Sequence, residues 1–436
     1  MGQAILKPSR GAAVRVALTL ADQGVVSATS FLTGVLVAKL TNKDQVGLYG
    51  LGWMAVMIVT ELQSALIATP QTVFGPRYDG QRNRQFQGSM LLKLLLLAGF
   101  NTLLLAAAAL ETAIIGKGDL SKVLLALAVG VTALHLCAFA RTACFAHLNP
   151  LGALLVDLAS CSMQLLALGL LWKFNALSGW SAWLVINLTS LPPAIAFLVW
   201  WWPNMSFSLA GAKEDFWLTW RQTRWVLASS ILWVGGMHLY PAVIEAFASR
   251  AEVAVWTVCF AISAIGNPLM YGVMNMLGPQ IAHRHARLSI REFQHYAWRA
   301  AAAFAAVMSC FALLVTVLAE WLIVHLYGAE YSGHRAVVAM LAFGLAARVP
   351  GFVAARGLFV LHRADLELLN NIAPLALMLL LGVMLTDQYG AWGAALSLLL
   401  AQCLGSVTRI ICFRRIVRQR ATDETAEPAT ALGVMP

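Results

Sequence analysis

Long apolar stretches dominate this chain, and short polar segments separate them. A helix needs about 20 apolar residues to cross the hydrocarbon core of a bilayer. Because lipid offers open backbone groups no hydrogen-bond partner, each stretch must be helical. The pattern predicts an all-α membrane protein of about twelve transmembrane helices, at 14–38, 46–69, 88–110, 122–145, 151–171, 180–202, 225–247, 253–278, 297–319, 335–359, 366–386 and 389–413.

The positive charges are sorted between alternate segments. With the N-terminus inside, the inner segments and inner span ends hold 23 of the 30 Lys and Arg residues, and the outer ones hold 7. An excess of Lys and Arg in short loops marks the cytoplasmic side, and one missing span would scramble this alternation. We therefore predict a multi-pass protein of the bacterial inner membrane with both termini in the cytoplasm.

Composition narrows the function classes. The chain is 60% hydrophobic and 11% charged, so its loops are too short to form a catalytic or nucleotide-binding domain, and we expect no enzyme. The net charge of +10 is explained by acidic lipid headgroups at the inner leaflet rather than by nucleic acid. The cysteines form no CxxC pair, and His283 and His285 have no carboxylate or thiol beside them. We therefore expect no metal site and no organic cofactor.

The chain also repeats itself. Val46-Gly47-Leu48-Tyr49 is echoed by Val253-Ala254-Val255-Trp256, Arg141 by Arg356, and Gly179-Trp180 by Gly390-Ala391. These offsets of 207 to 215 residues correspond to six spans. An even number preserves orientation, so the repeat predicts two parallel six-helix lobes, 1–211 and 225–420. The basic, aromatic stretch 212–224 predicts an interfacial linker helix, and the polar stretch 421–436 predicts a disordered cytoplasmic tail.

Several spans carry polar or charged residues near their middle. A charged residue there costs about 2.5–3.5 kcal/mol on insertion scales, so it usually faces a cavity or a partner. Asp22, Glu61 and Asp157 are therefore candidates for cavity-facing groups. Span 1 also has a polar helical face with Asp22 at its edge, made of Thr19, Gln23, Ser27, Ser30 and Gly34. Small polar residues of this kind also stabilise helix packing. For the serines, a packing role is the alternative to lining a cavity.

Span 7 and two arginines add further candidates. His238 and Glu245 flank Pro241, which predicts a kink. His238 could instead be a hydrogen-bonded core histidine, and Glu245 could lie at the outer headgroups. Arg141 and Arg356 stand near inner span ends, where a side chain either reaches the surface or, as their matching positions suggest, lines a cavity.

Four segments resemble a known family. They are the polar span from Asp22, Asp44-Gln45-Val46-Gly47-Leu48-Tyr49-Gly50-Leu51 leading to Pro70, Leu326-Tyr327-Gly328-Ala329-Glu330-Tyr331, and Tyr389-Gly390-Ala391-Trp392-Gly393-Ala394-Ala395. In order and spacing they resemble the polysaccharide transporters of the multidrug/oligosaccharidyl-lipid/polysaccharide (MOP) superfamily, the branch that includes the O-antigen flippases. The resemblance covers most of the chain and implies two six-helix lobes around a central cavity, with alternating access.

The resemblance also implies a cargo, a lipid-linked sugar. On this hypothesis Arg141, Arg348 and Arg356 hold a diphosphate, because a guanidinium group suits phosphate oxygens. The acidic residues of spans 1, 2 and 5 then contact sugar hydroxyls or carry a coupling ion, H+ or Na+. The protein would flip an undecaprenyl-diphosphate-linked oligosaccharide for O-antigen or exopolysaccharide synthesis, in contact with polymerase or glycosyltransferase machinery.

Two alternatives remain open at this stage. The related MATE branch comprises cation-coupled drug antiporters, whose organic-cation cargo favours an acidic cavity. A membrane-embedded polysaccharide polymerase or ligase would need a sizeable outer loop, and the longest outer segments, 111–121 and 320–334, are short.

Overall fold

The computed structural model describes residues 10–270, 273, 277, 281, 289–361, 363 and 365–430. These residues form helices and their connections, and no strand occurs among them. The predicted all-α class is confirmed. The chain divides into two compact units, Met1–Ile231 and Leu232–Pro436.

Unit 1 is built from helices that follow the predicted spans. They are α1 (Arg10–Leu40), α2 (Lys43–Gln63), α3 (Thr69–Phe74), α4 (Gly80–Ile114), α5 (Gly118–Ala146), α6 (Pro150–Lys173), α7 (Gly179–Leu188), α8 (Leu191–Trp201) and the first part of α9 (Leu209–His238). Within the unit, α4 packs along α5, and α1 packs along α6. Phe86, Met90 and Leu94 of α4 meet Phe139 of α5 in the apolar core.

Unit 2 contains the end of α9 and the remaining helices. They are α10 (Tyr240–Phe247), α11 (Arg250–Ser263), α12 (Ile290–Leu326), α13 (Arg335–Val360), α14 (Asp365–Leu377) and α15 (Val383–Thr430). Here α13 packs between α12 and α15. Phe293, Val353 and Phe413 lie fully buried where the three helices meet.

The helices are long enough to cross a membrane. In the described part of the chain ten have the required length and apolarity, or eleven when a bent pair counts as one span. One of the ten, Leu368–Ala421, has 54 residues, about 80 Å of helix, and covers the predicted spans 11 and 12. It contains a non-helical residue, Gly390, with φ 57°, and its first part, α14, packs back against α15. The chain is thus a multi-pass membrane protein.

Three prolines lie beside irregular turns or bends in the helices. The span of α2 passes through a π-helical turn at Ser64–Ala68, in which Thr69 N–H donates to Ser64 O, directly before Pro70. In span 7, Thr223–His238 and Tyr240–Phe247 are bent by 44° beside Pro241, as predicted. A second π turn, Met378–Gly382, follows Pro374. Proline lacks the N–H that the helix ladder needs, so the hydrogen bonds shift register nearby.

The predicted linker helix 212–224 is not a separate element, because it forms the first half of the continuous helix α9. No Gly or Pro interrupts the sequence between Gly211 and Gly235, so the helix propagates. Asp215 on this half is fully buried and pairs with Arg82 of α4, at 2.5 Å. The first half of α9 therefore belongs structurally to unit 1. Helix α15 continues to Thr430, past the start of the predicted tail at 421. Residues 431–436 lie outside the described residues, so the disorder predicted for the tail stays a prediction.

Each unit repeats one capping contact. In unit 1 the Gln45 side chain accepts a hydrogen bond from Gly179 N–H, at 2.8 Å. In unit 2 the Glu252 carboxylate accepts one from Ala391 N–H, also at 2.8 Å. Both acceptors satisfy a backbone N–H at the start of the sixth span of their unit. This contact gives a physical reason for the sequence echoes on which the duplication was predicted.

Candidate functional site

A tight turn between α5 and α6 sets two charged residues beside each other. Asn149 caps α6 by accepting from Gly152 N–H, Pro150 occupies its first turn, and Leu148 has φ 55°. Arg141 precedes this turn by about two helical turns, and Asp157 follows it by the same distance. Since antiparallel neighbours pair residues equidistant from their turn, the two side chains meet.

Arg141 binds two carboxylates from different helices. Its Nη2 lies 2.7 Å from Asp22 Oδ2 of α1, and its Nε lies 2.8 Å from Asp157 Oδ2 of α6. The first contact is an aligned hydrogen bond, while the second is an ionic contact in which the N–H does not point at the oxygen. Asp22 is fully buried, the Asp157 side chain is 8% exposed and that of Arg141 is 30% exposed. We call these three residues the triad.

A polar stripe continues from the triad along the α1–α6 contact. Thr33, fully buried, accepts a hydrogen bond from Gln164 at 2.8 Å, and Thr29 is also buried. The face predicted for span 1 lies elsewhere, because Gln23 is exposed and the space beside Gly34 is open. Asp22 therefore belongs to the packed face of α1 rather than to the edge of the open one. Gln23 contacts the triad only through a long hydrogen bond of 3.5 Å from Arg141.

Glu61, the third acidic candidate of unit 1, lies away from the triad. It is half-buried on α2, one turn before the π segment, and interacts with Ser230 of α9. Sequence reasoning also missed a buried polar group in this unit. Asn101 donates to the His135 ring at 2.8 Å, while Gln63 donates to the backbone oxygen of His135. Gln63, Asn101 and His135 are polar residues within predicted spans, and this position was the feature of the sequence that could have identified them.

Unit 2 contains a small crevice with a cavity volume of about 40 Å³. Arg348 lies in it, buried, with its guanidinium 4.6 Å from the Trp233 ring and 4.8 Å from the Phe352 ring. Arg409 also lines the crevice; it is buried and donates a hydrogen bond to Asn371 at 2.6 Å. The described lining also includes Leu232, Met237, Pro374, Leu398, Gln402 and Ser406. The lining thus combines guanidinium and amide donors with apolar and aromatic walls.

The other candidates of unit 2 are dispersed. His238 ends α9 near Arg348 and is half-buried. Glu245 pairs with Arg250, 3.3 Å away, close to the end of α10. Arg356 is exposed on α13, so it does not reproduce the buried setting of its sequence mate Arg141. Arg409 was not singled out from the sequence, although it stands one heptad after Gln402 on one helical face.

No cluster of three or more His, Cys, Asp or Glu side chains suited to a metal ion occurs among the described residues. His283 and His285 lie outside those residues. Among the described residues, the triad brings together two carboxylates and a guanidinium from three helices.

Comparisons with known proteins identify the fold. No protein-family model matches the chain. No curated protein matches it either. Among solved structures, an inward-facing multidrug resistance MATE family transporter of the MOP superfamily is 13% identical, with a TM-score of 0.75 over 90% of this chain and 94% of that chain.

Two further structures agree. A MOP superfamily transporter from Pyrococcus furiosus, described as having a binding pocket of reverse polarity, is 13% identical, with a TM-score of 0.69 over 93% of this chain and 95% of its own. A MATE in complex with MaL6 is 12% identical, with a TM-score of 0.65 over 93% of this chain and 96% of its own. The predicted MOP/MATE-like architecture is confirmed at the level of fold, and the structural neighbours are transporters. The chain is a multi-pass membrane protein with the fold of MOP superfamily transporters.

Proposed function

We propose that this protein is a cation-coupled antiporter of the MATE type, in which the triad of unit 1 binds the coupling cation. It would act in the bacterial inner membrane with both termini in the cytoplasm. The observation that carries the proposal is the triad itself: two buried carboxylates and one guanidinium inside a transmembrane unit. Buried ionisable groups of this kind are costly and are retained in ion and proton pathways.

The geometry supplies a coupling mechanism. Arg141 ties α1 to α5 and α6 through its contacts with Asp22 and Asp157. A cation that binds either carboxylate competes with the guanidinium and so weakens one of these ties. A ligand shifts a conformational equilibrium only by its different affinity for the two states. Cation binding would therefore favour a state in which α1 is less firmly held, and that state would load or release the cargo.

The proposal is tested in proteoliposomes with an imposed cation gradient. Wild-type protein is expected to move a fluorescent organic substrate against its own gradient, and Asp157→Asn is expected to abolish this movement. Asp119→Asn is the matched control, because Asp119 is an exposed carboxylate paired with Lys122 outside the triad. Gradient-driven transport that survives Asp157→Asn unchanged would refute the role of the triad.

The second candidate is a flippase for an undecaprenyl-diphosphate-linked oligosaccharide, working with polymerase or glycosyltransferase partners. The crevice of unit 2 favours it, because Arg348 and Arg409 are among the described lining residues. Guanidinium groups bind phosphate oxygens in a forked geometry, and Trp233 offers an apolar face to a lipid chain.

The two candidates make opposite predictions in cells. An antiporter lowers dye accumulation in a sensitised strain and leaves lipid-linked sugars unchanged. A flippase, when its gene is disrupted in a background with no other flippase, leaves lipid-linked oligosaccharide facing the cytoplasm, measurable by mass spectrometry. Normal sugar delivery in that background would exclude the second candidate.

A further inference from the structure

We infer that Arg141 makes this transporter selective for protons over metal cations, by occupying the place between Asp22 and Asp157 that a metal ion would need. The inference rests on the proposed function and names its coupling ion. Arg141 thereby acts as a specificity-determining residue and not only as a structural tie.

The first argument concerns space and charge. Arg141 reaches one oxygen of Asp22 and one of Asp157, at 2.7 and 2.8 Å, so its guanidinium lies between them. Hard cations such as Na+ and Ca2+ require several oxygen ligands around one point. Since arginine stays protonated in proteins, its charge is permanent and repels a second cation. A metal ion would have to displace Arg141 from both carboxylates.

The second argument concerns a carboxylate oxygen of the triad that can accept a proton. Asp22 Oδ1 is buried and accepts no hydrogen bond from any described residue. The carboxyl groups of Asp22 and Asp157 both contact the Arg141 guanidinium, so they lie on either side of the same group. Two carboxylates and one guanidinium leave the triad with a net charge of −1. One proton on either carboxyl neutralises the triad, and a protonated carboxyl is a hydrogen-bond donor.

The neighbouring groups do not change the net charge of the triad. On α5 and α6 the titratable side chains that interact with the triad are thiols, those of Cys137, Cys144 and Cys161. The sequences of α3, α7 and α8 contain no charged residue. On α2 and α4 the charged groups away from the helix ends have other described partners: Glu61 with Ser230, Arg82 with Asp215 and Lys93 with Thr219.

The test measures ion binding by the purified full-length protein in detergent, without any cargo. Its thermal unfolding midpoint is followed in NaCl, KCl and choline chloride at constant ionic strength. For the wild type we expect no shift specific to Na+. For Arg141→Gln, which keeps a polar side chain but removes the charge, we expect a saturable upward shift in Na+ alone. Asp22→Asn added to that variant should abolish the shift.

A second measurement concerns the proton. In an unbuffered titration around neutral pH, followed with a pH indicator, the wild type should take up about one proton per chain more than the Asp22→Asn, Asp157→Asn double variant, because a second proton would give the triad a net positive charge. Arg250→Gln is the matched control, because it removes an arginine from a different ion pair, with Glu245. It should bind no Na+ and keep the full proton uptake.

Three results would overturn the inference: stabilisation of the wild type by Na+, equal proton uptake by wild type and double variant, or a folded Arg141→Gln that ignores Na+. If Arg141→Gln does not fold, the wild-type ion series and the proton titration decide. These outcomes are separate from the proposed function. A wild type that binds Na+ could still be an antiporter, whereas a proton-selective triad without gradient-driven transport would contradict the proposed function alone.

Discussion

The ion pair between Arg82 and Asp215 should be a major contributor to the stability of unit 1. Asp215 is fully buried and accepts two hydrogen bonds from the Arg82 guanidinium, at 2.5 and 3.2 Å. Breaking a fully buried pair costs about 3–5 kcal/mol, because the remaining charge is left without compensation. The Arg82 side chain is 34% exposed, so part of its interaction is screened by solvent. We therefore expect Arg82→Ala to lower the unfolding free energy by about 2–4 kcal/mol.

A double-mutant cycle separates the pair from the rest of its surroundings. Asp215→Asn should cost about 1 kcal/mol, because the amide keeps a hydrogen bond and Arg82 can turn to solvent. The double variant should cost little more than Asp215→Asn, since no buried charge remains unpaired. The expected coupling is about 2–4 kcal/mol, measured from equilibrium unfolding in mixed detergent and denaturant. If the loss in the double variant equals the sum of the two single-variant losses within about 0.5 kcal/mol, the two residues are not coupled and the predicted contribution of the buried pair is wrong.

The chain offers a control on the same experiment. Lys122 and Asp119 form an ion pair at 3.0 Å with side chains 60% and 54% exposed. Exposed pairs contribute about 0–1 kcal/mol, because water screens them and two long side chains must be ordered. Lys122→Ala should therefore change the unfolding free energy by less than about 0.5 kcal/mol.

Three further predictions follow from the fold. Glu252→Ala removes the acceptor for Ala391 N–H at 2.8 Å, and should lower the unfolding free energy by about 1–2 kcal/mol in the same assay. An unchanged unfolding midpoint would show that this hydrogen bond does not stabilise unit 2. Gly130→Ala would place its new Cβ 2.2 Å from Asn187 Cβ, so we expect a loss of about 1–3 kcal/mol and a lower thermal midpoint. A cysteine replacing Lys117 in a cysteine-free variant should react with a membrane-impermeant maleimide on the outer face of the membrane, whereas labelling from the cytoplasmic side alone would reverse the predicted orientation.

Much of the architecture could be predicted from the sequence because it depends on local properties. The length of an apolar stretch determines whether it spans a bilayer, and the boundaries of α4, α5 and α13 contain their predicted spans. Short echoes in the sequence predict a duplication, and Gln45 and Glu252 make a similar contact in each unit, accepting a hydrogen bond from a backbone N–H at the start of a span. The charge alternation predicted the orientation, which the cysteine labelling will test.

The candidate site was only partly predictable. Asp22, Arg141 and Asp157 were each singled out as polar groups in or near a span, but their meeting depends on the rotation of α1 and on the turn at Leu148. The crevice illustrates the same limit, since Arg409 was counted only as an inner positive charge, yet it lies buried beside Asn371.

The sequence by itself determined that this chain crosses a membrane many times as helices, because the cost of leaving a backbone unpaired in lipid acts on each segment separately. The tertiary structure alone decided which charges are paired. Arg82 with Asp215 and Arg141 with Asp22 join residues more than one hundred positions apart. Such pairs depend on how each helix is rotated and on which helices lie next to it. Packing over the whole unit determines both, so no local pattern in the sequence encodes the pairs.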